Sequence, residues 1–149
     1  MATIQLPIDF KEFFLSLNSH RVDYLLIGGY AVAYYGFPRY TGDIDVWVGR
    51  SIENANRTFQ TLQDFGFSAA GLDAEYFQKS EQILRMGVPP LRIEILTSIS
   101  GLEFENAYKN RVDIELDGVP IHLISLDDLK KNKASAGRLK DLHDLKNLP

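Results

Sequence analysis

A chain of 149 residues is long enough to form one domain around a buried core, and 45% hydrophobic against 24% charged residues is the balance of an ordinary globular protein. The absence of cysteine excludes disulfides, thiolate metal sites and cysteine nucleophiles, and no run approaches the roughly 20 apolar residues that cross a bilayer. A net charge of −4 argues against a general nucleic-acid coat protein.

In chain order, Asp9, Lys11 and Glu12 interrupt the N-terminal region too early for a secretory leader, so a cytoplasmic address with no membrane partner is expected. Phe10, Phe13, Phe14 and Leu17 fall at helical spacing and predict an amphipathic helix over 8–17. A buried strand follows over 22–27. A short helix over 30–35 stops near Gly36 and Pro38. Asp43 to Val48 reads as a second strand. Ser51 is a plausible N-cap, with Glu53 in the first turn, for a helix that ends at Phe65 and closes on Gly66. After a poorly periodic stretch, strands are expected over 82–86 and 91–96, joined through Gly87-Val-Pro-Pro. A short helix over 104–108 precedes strands over 111–116 and 119–124, with Asp117-Gly118 as a two-residue hairpin signal. Ser125 to Asp128 resembles a capping box with Asp in place of Glu, and opens a helical segment over about 125–149 that breaks at Gly137. Helices alternating with strands early and a hairpin late predict a mixed α/β (α+β) sheet in one domain, 1–149.

The chemistry concentrates in the first half. Gly28 and Gly29 stand where a strand turns into a helix, which leaves backbone N–H groups free for a phosphate. Thirteen residues separate Gly29 from Asp43, and Asp43 and Asp45 share one strand face while Ile44, Val46 and Val48 take the other. Two like charges side by side disfavour each other unless a proton or a cation lies between them, which makes a divalent metal the natural occupant. Glu94, opposite Ile93 and Ile95 on its own strand, supplies a third carboxylate if that strand lies beside Asp43–Val48. The competing reading of Glu94 is a solvent-facing residue paired with Arg92 or Arg111. Hard oxygen ligands with no histidine or cysteine cluster suit Mg²⁺, two ions in this reading, with Mn²⁺ as a substitute. His20, His122 and His143 are scattered. A Rossmann dinucleotide site is excluded because the run after Gly28-Gly29 lacks the third glycine.

Gly28-Gly29, the Asp43-Ile44-Asp45 triplet and a distal strand carboxylate together resemble the DNA polymerase β-like nucleotidyltransferase superfamily. The run Arg39-Tyr-Thr41-Gly-Asp43-Ile-Asp45 and the segment Lys133-Ala-Ser-Ala-Gly137-Arg138-Leu-Lys140-Asp141 are similar to uncharacterised and abortive-infection toxin-type bacterial members. The resemblance implies a polymerase β-like palm, with helices mainly on one face of the sheet and a helical C-terminus. It places Gly28 and Gly29 at the triphosphate, makes Asp43 and Asp45 metal ligands, and makes Glu94 the third carboxylate. Gly29 stands where Ser is often found, and Glu94 where Asp is frequent.

The expected reaction moves a nucleoside monophosphate from an NTP to an acceptor hydroxyl: RNA such as a tRNA end, a protein or a small molecule. Arg39 and Thr41 flank the metal strand and are candidates for phosphate contact; a structural turn accounts for them equally well. Lys133, Arg138 and Lys140 are candidates for triphosphate or acceptor binding, with Asp141 orienting one of them. From Lys130 onward six Lys/Arg face two Asp, a local +4 against −8 for the remainder, and this slightly favours an RNA acceptor. A toxin role would add an antitoxin protein as partner. The alternative from another class is a non-catalytic nucleotide-sensing or protein-interaction module that retains the fold.

Overall fold

The computed structural model describes residues 4–38, 41–88 and 91–149. Its elements are α1 (Ile8–Ser19), β1 (Tyr24–Ile27), α2 (Gly28–Tyr34), β2 (Asp43–Val48), α3 (Ile52–Phe65), a 3₁₀ turn (Ala74–Gln78), β3 (Ile83–Val88), β4 (Leu91–Leu96), α4 (Phe104–Lys109), β5 (Val112–Leu116), β6 (Val119–Leu123), α5 (Leu126–Ala136) and α6 (Leu139–Asn147). The six strands form one mixed sheet in the order β3-β4-β2-β1-β6-β5. β2 runs antiparallel to β1 and parallel to β4.

The strand alternation sorts the sheet into two chemically different faces. Tyr24 and Leu26 pair with Val48 and Val46, while Ile44 and Val46 pair with Ile93 and Ile95, so these residues share one face. That face is buried: Ile44, Val46, Val48 and Leu26 have no exposed surface. Phe14 of α1 packs against Tyr24 at 5.7 Å between rings, and Phe13 meets Phe65 of α3 edge-on at 5.4 Å. The opposite face carries Ile27, Asp43, Asp45, Trp47, Arg92, Glu94 and Leu96, by the same register. Trp47 is covered there by Phe104 of α4 at 5.2 Å.

Local chemistry sets the boundaries. Ser51 accepts a hydrogen bond from Asn54 N–H, and α3 closes on Gly66 in the left-handed region, as expected. Asn54 also ties α3 to the sheet: its Oδ1 accepts from Asp23 N–H, and its Nδ2 donates to Asp23 and Gly49 carbonyls. Asp117 and Gly118 both have positive φ, 50° and 82°, the backbone that a tight hairpin demands. Ser125 accepts from Asp128 N–H, and α5 stops at Gly137.

Several expected bounds shift by a residue or two. The first strand begins at Tyr24 rather than at 22, and the helix after it begins at Gly28, two residues early, because Gly28 adopts φ +70° and turns the chain directly out of the strand. β3 runs on through Gly87 and Val88 instead of ending at 86. The aperiodic stretch holds a 3₁₀ turn, capped by the Asp73 side chain and anchored by buried Phe77. None of the described helices is long and apolar enough to cross a membrane.

Candidate active site

Asp45 lies directly opposite Glu94 on the parallel β2–β4 pair, and Asp43 lies opposite Arg92 two residues earlier. The three carboxylates expected from the sequence therefore occupy one end of one sheet face. They border a cleft of about 540 Å³ that also takes in Gly28, Gly29, Thr41, Lys133, Arg138 and Lys140. Arg39 lies outside the described residues. The structure thus gathers every other expected site residue into one cleft.

Gly28 and Gly29 form the floor beside Asp45. A Cβ at Gly28 would collide with the Asp45 carboxylate, and one at Gly29 would stand 2.8 Å from Thr41 Oγ1. Glycine is required at 28 on both counts, close approach and positive φ. The Thr41 hydroxyl donates to the Asp43 carbonyl at 3.1 Å, so Thr41 shapes the entry into β2 as well as lining the cleft.

The carboxylates do not behave alike. Burial pushes Asp45 well above the usual carboxylate range, and the hydrogen bond to Glu94 and the neighbouring charges of Glu94 and Asp43 push the same way. Burial acts on Glu94 in that direction too, but the hydrogen bond from Asp45 and the Arg85 and Arg92 guanidinium groups outweigh it and hold Glu94 low. The two carboxylates titrate as a coupled pair, with Asp45 pushed up and Glu94 held down.

Arginines that the sequence reading did not place in the site neutralise what remains. Arg92 Nη2 lies 3.0 Å from Asp43 Oδ2 and 3.4 Å from Glu94 Oε1, and Arg85 Nε donates to Glu94 Oε1 at 3.1 Å. The alternative pairing of Glu94 with Arg92 is thus real, but Glu94 is no solvent-facing residue: its side chain is 16% exposed, at the bottom of the cleft. Arg111 takes no part. It bonds Asp113 and stacks on the Tyr108 ring at 4.1 Å. Arg85 could have been found from the sequence only by knowing that β3 pairs with β4, which puts it opposite Glu94. Ser98, Ser100 and Asn132 also line the cleft, and Asn132 donates to the Ser100 carbonyl at 3.0 Å.

The C-terminal cations are not equivalent. Lys133 is buried, with Nζ 3.2 Å from Asp141 and 3.0 Å from Asp144, so two carboxylates already satisfy its charge inside the protein. Arg138 grips the same Asp141 through Nε at 2.6 Å and Nη2 at 3.2 Å, which fixes its guanidinium at the cleft rim. The expected role of Asp141 as an orienting carboxylate matches this arrangement. Lys140 is exposed, and its charge acts on Asp45.

A divalent metal can be tested against these residues. Asp45 Oδ1 is buried without a hydrogen-bond partner among the described residues, and the donors within reach are hard oxygens. Against this, no three His, Asp or Glu side chains among the described residues are drawn together as a ready cage. Arg92 lies within ion-pair distance of both Asp43 and Glu94. The donor set fits Mg²⁺, with Arg92 as its competitor.

The mixed sheet thus carries a glycine turn, a paired-aspartate strand and a neighbouring carboxylate strand around one cleft. The chain belongs to the family described as nucleotidyltransferase of unknown function (DUF6036), whose model matches residues 5–148. Among solved structures it is similar to a candidate nucleotidyltransferase from Thermotoga maritima, at 20% identity and a TM-score of 0.63, covering 92% of this chain and 88% of that one. It is also similar to an antigenic nucleotidyltransferase-like protein from Paracoccidioides brasiliensis, at 19% identity and a TM-score of 0.54, covering 93% and 73%. At these identities the likeness is one of fold. No curated protein is a significant match.

Proposed function

We propose that the chain is a Mg²⁺-dependent enzyme that transfers a nucleoside monophosphate from an NTP to an acceptor hydroxyl, working as one unit over its 149 residues. The observation that carries the reading is the pairing of Asp45 with Glu94 beside Asp43, over the Gly28-Gly29 floor of one cleft. Asp43 and Asp45 would hold the metal, with Glu94 as third ligand. When bound, the metal supplies charge neutralisation at the triphosphate and lowers the pKa of the acceptor hydroxyl.

The chain's own residues do the rest. Gly28 and Gly29 open α2, which has no side-chain cap, and let the triphosphate approach the backbone. Arg138, locked by Asp141, and exposed Lys140 face the phosphates from the C-terminal side of the cleft. Lys133 works one step back, holding Asp141 and Asp144 in place. The acceptor oxygen attacks the α-phosphorus, the bond from that phosphorus to its β-bridging oxygen breaks, and pyrophosphate leaves. Glu94, across the strand pair from Asp45, is the carboxylate that would take the acceptor proton.

RNA, including a tRNA end, is the acceptor class favoured by the basic C-terminal segment; a protein or small molecule is the competing class. In a cytoplasmic toxin–antitoxin setting, expression would arrest growth and Asp45→Asn would abolish the arrest. The test is to incubate the protein with each α-³²P-labelled NTP, Mg²⁺ and a cell extract. Label on RNA or protein with the wild type, and none with Asp43→Ala/Asp45→Ala, supports the reading. Equal labelling by both contradicts it, and no label with any nucleotide would favour the nucleotide-sensing module instead.

A further inference from the structure

We propose that Arg92 couples metal loading to nucleotide binding: it holds Asp43 while the cleft is empty of substrate, and passes to the triphosphate when Asp43 turns to a cation. The inference deepens the nucleotidyltransferase reading and rests on it. Arg92 sits opposite Asp43 in the β2–β4 register, on the carboxylate face, with its side chain 29% exposed to the same cleft as Gly28 and Lys140. Its Nη2 reaches both Asp43 and Glu94, and its buried Nε has no hydrogen-bond partner among the described residues. A guanidinium in that position fills the place of a cation between two ligands. It neutralises the cluster, and it opposes a second positive centre on the same Asp43 carboxylate.

Arg92 therefore has two opposite effects. Toward a bare divalent cation it is a competitor. Toward a metal–nucleotide complex it is a ligand, because the triphosphate offers the freed guanidinium a better anion and a bidentate geometry. The cleft then loads metal together with nucleotide rather than metal alone. Arg85 provides the contrast: among the described residues its carboxylate partner is Glu94 and not Asp43, so losing it removes one positive charge without releasing Asp43.

The test measures Mn²⁺ binding by electron paramagnetic resonance, alone and with α,β-methylene triphosphate analogues of the four ribonucleotides. The proteins are wild type, Arg92→Gln, Arg92→Lys and Arg85→Gln. Arg92→Gln is expected to bind bare Mn²⁺ about 10-fold more tightly and the Mn²⁺–analogue complex about 10-fold more weakly, a coupling of ordinary size for linked sites. Arg92→Lys should shift both in the same directions by less, and Arg85→Gln should tighten bare Mn²⁺ less than Arg92→Gln does. A purely structural role would weaken both kinds of binding, and that result in either Arg92 variant, or no change in Arg92→Gln, overturns the proposal. Mn²⁺ binding by none of the four, with or without analogue, would overturn it together with the enzyme reading beneath it.

Discussion

At Gly28 two constraints meet. Its φ of +70° costs an L-residue roughly 1–2 kcal/mol, and a Cβ there would strike the Asp45 carboxylate. Gly28→Ala should therefore lower the melting temperature modestly while displacing Asp45, so that nucleotide transfer falls far more than stability does. Equal loss of both would mean that Gly28 is only a turn residue. At this scale the sequence was informative, because alternation along a strand is local: Asp43, Asp45 and Glu94 could each be assigned to a face from their neighbours. The arginines were not legible in the same way. Arg92 beside Glu94 could be read within β4, but the reach of Arg92 to Asp43 and of Arg85 to Glu94 depends on β4 lying beside β2 and β3 outside β4, and nothing within a strand encodes that order. Lys133, expected among the candidates for triphosphate or acceptor binding, lines the cleft, but its pairing with Asp141 and Asp144 one helix later could not be read locally.

At the scale of elements, caps and turns were the most legible features. β2, β4 and both ends of α3 fall where side-chain chemistry puts them, because Ser51, Gly66 and the Asp-Ile-Asp alternation act within a few residues. The α5–α6 junction depends on a buried charge cluster. Lys133→Met would remove the buried cation that Asp141 and Asp144 share. Removing one partner of such a cluster typically costs about 3 kcal/mol or more, so this variant should melt markedly lower than wild type; an unchanged melting temperature would contradict the burial. α1 and α3 are tied by His20, whose Nε2 lies 2.6 Å from Asp64. The Ser16 carbonyl raises the His20 pKa most, burial opposes it, and Asp64 raises it further, while His20 and Gln60 lower that of Asp64. The histidine contribution is therefore complete below its unfolded value near 6.5 and fades as pH rises through the folded value. The Asp64 contribution fades as pH falls through its depressed value. The melting difference between wild type and His20→Gln should be largest at about pH 5 to 6 and shrink above it. A difference independent of pH would refute the ion pair.

For the whole molecule, the charge asymmetry gains a location. The basic C-terminal segment includes Arg138 and Lys140 at the rim of the carboxylate cleft, which explains how an acidic protein could still receive a polyanion at one place. Label transfer to RNA should accordingly fall steeply with salt, while transfer to a small neutral acceptor should not. Mixed fold class and carboxylate strand were readable from periodicity; that the two halves of the chain close on one cleft was not, since it depends on contacts across more than 80 residues, such as Tyr35 O–H donating to the Ile124 carbonyl at 2.7 Å. The central claim is nucleotidyl rather than phosphoryl transfer, and one comparison tests it most directly. The protein is given the same NTP labelled at either the α- or the γ-phosphorus, with Mg²⁺ and the acceptor fraction. The account predicts that the acceptor gains label from the α-position only, with pyrophosphate released, and that Asp45→Asn abolishes it. Label arriving from the γ-position would contradict it.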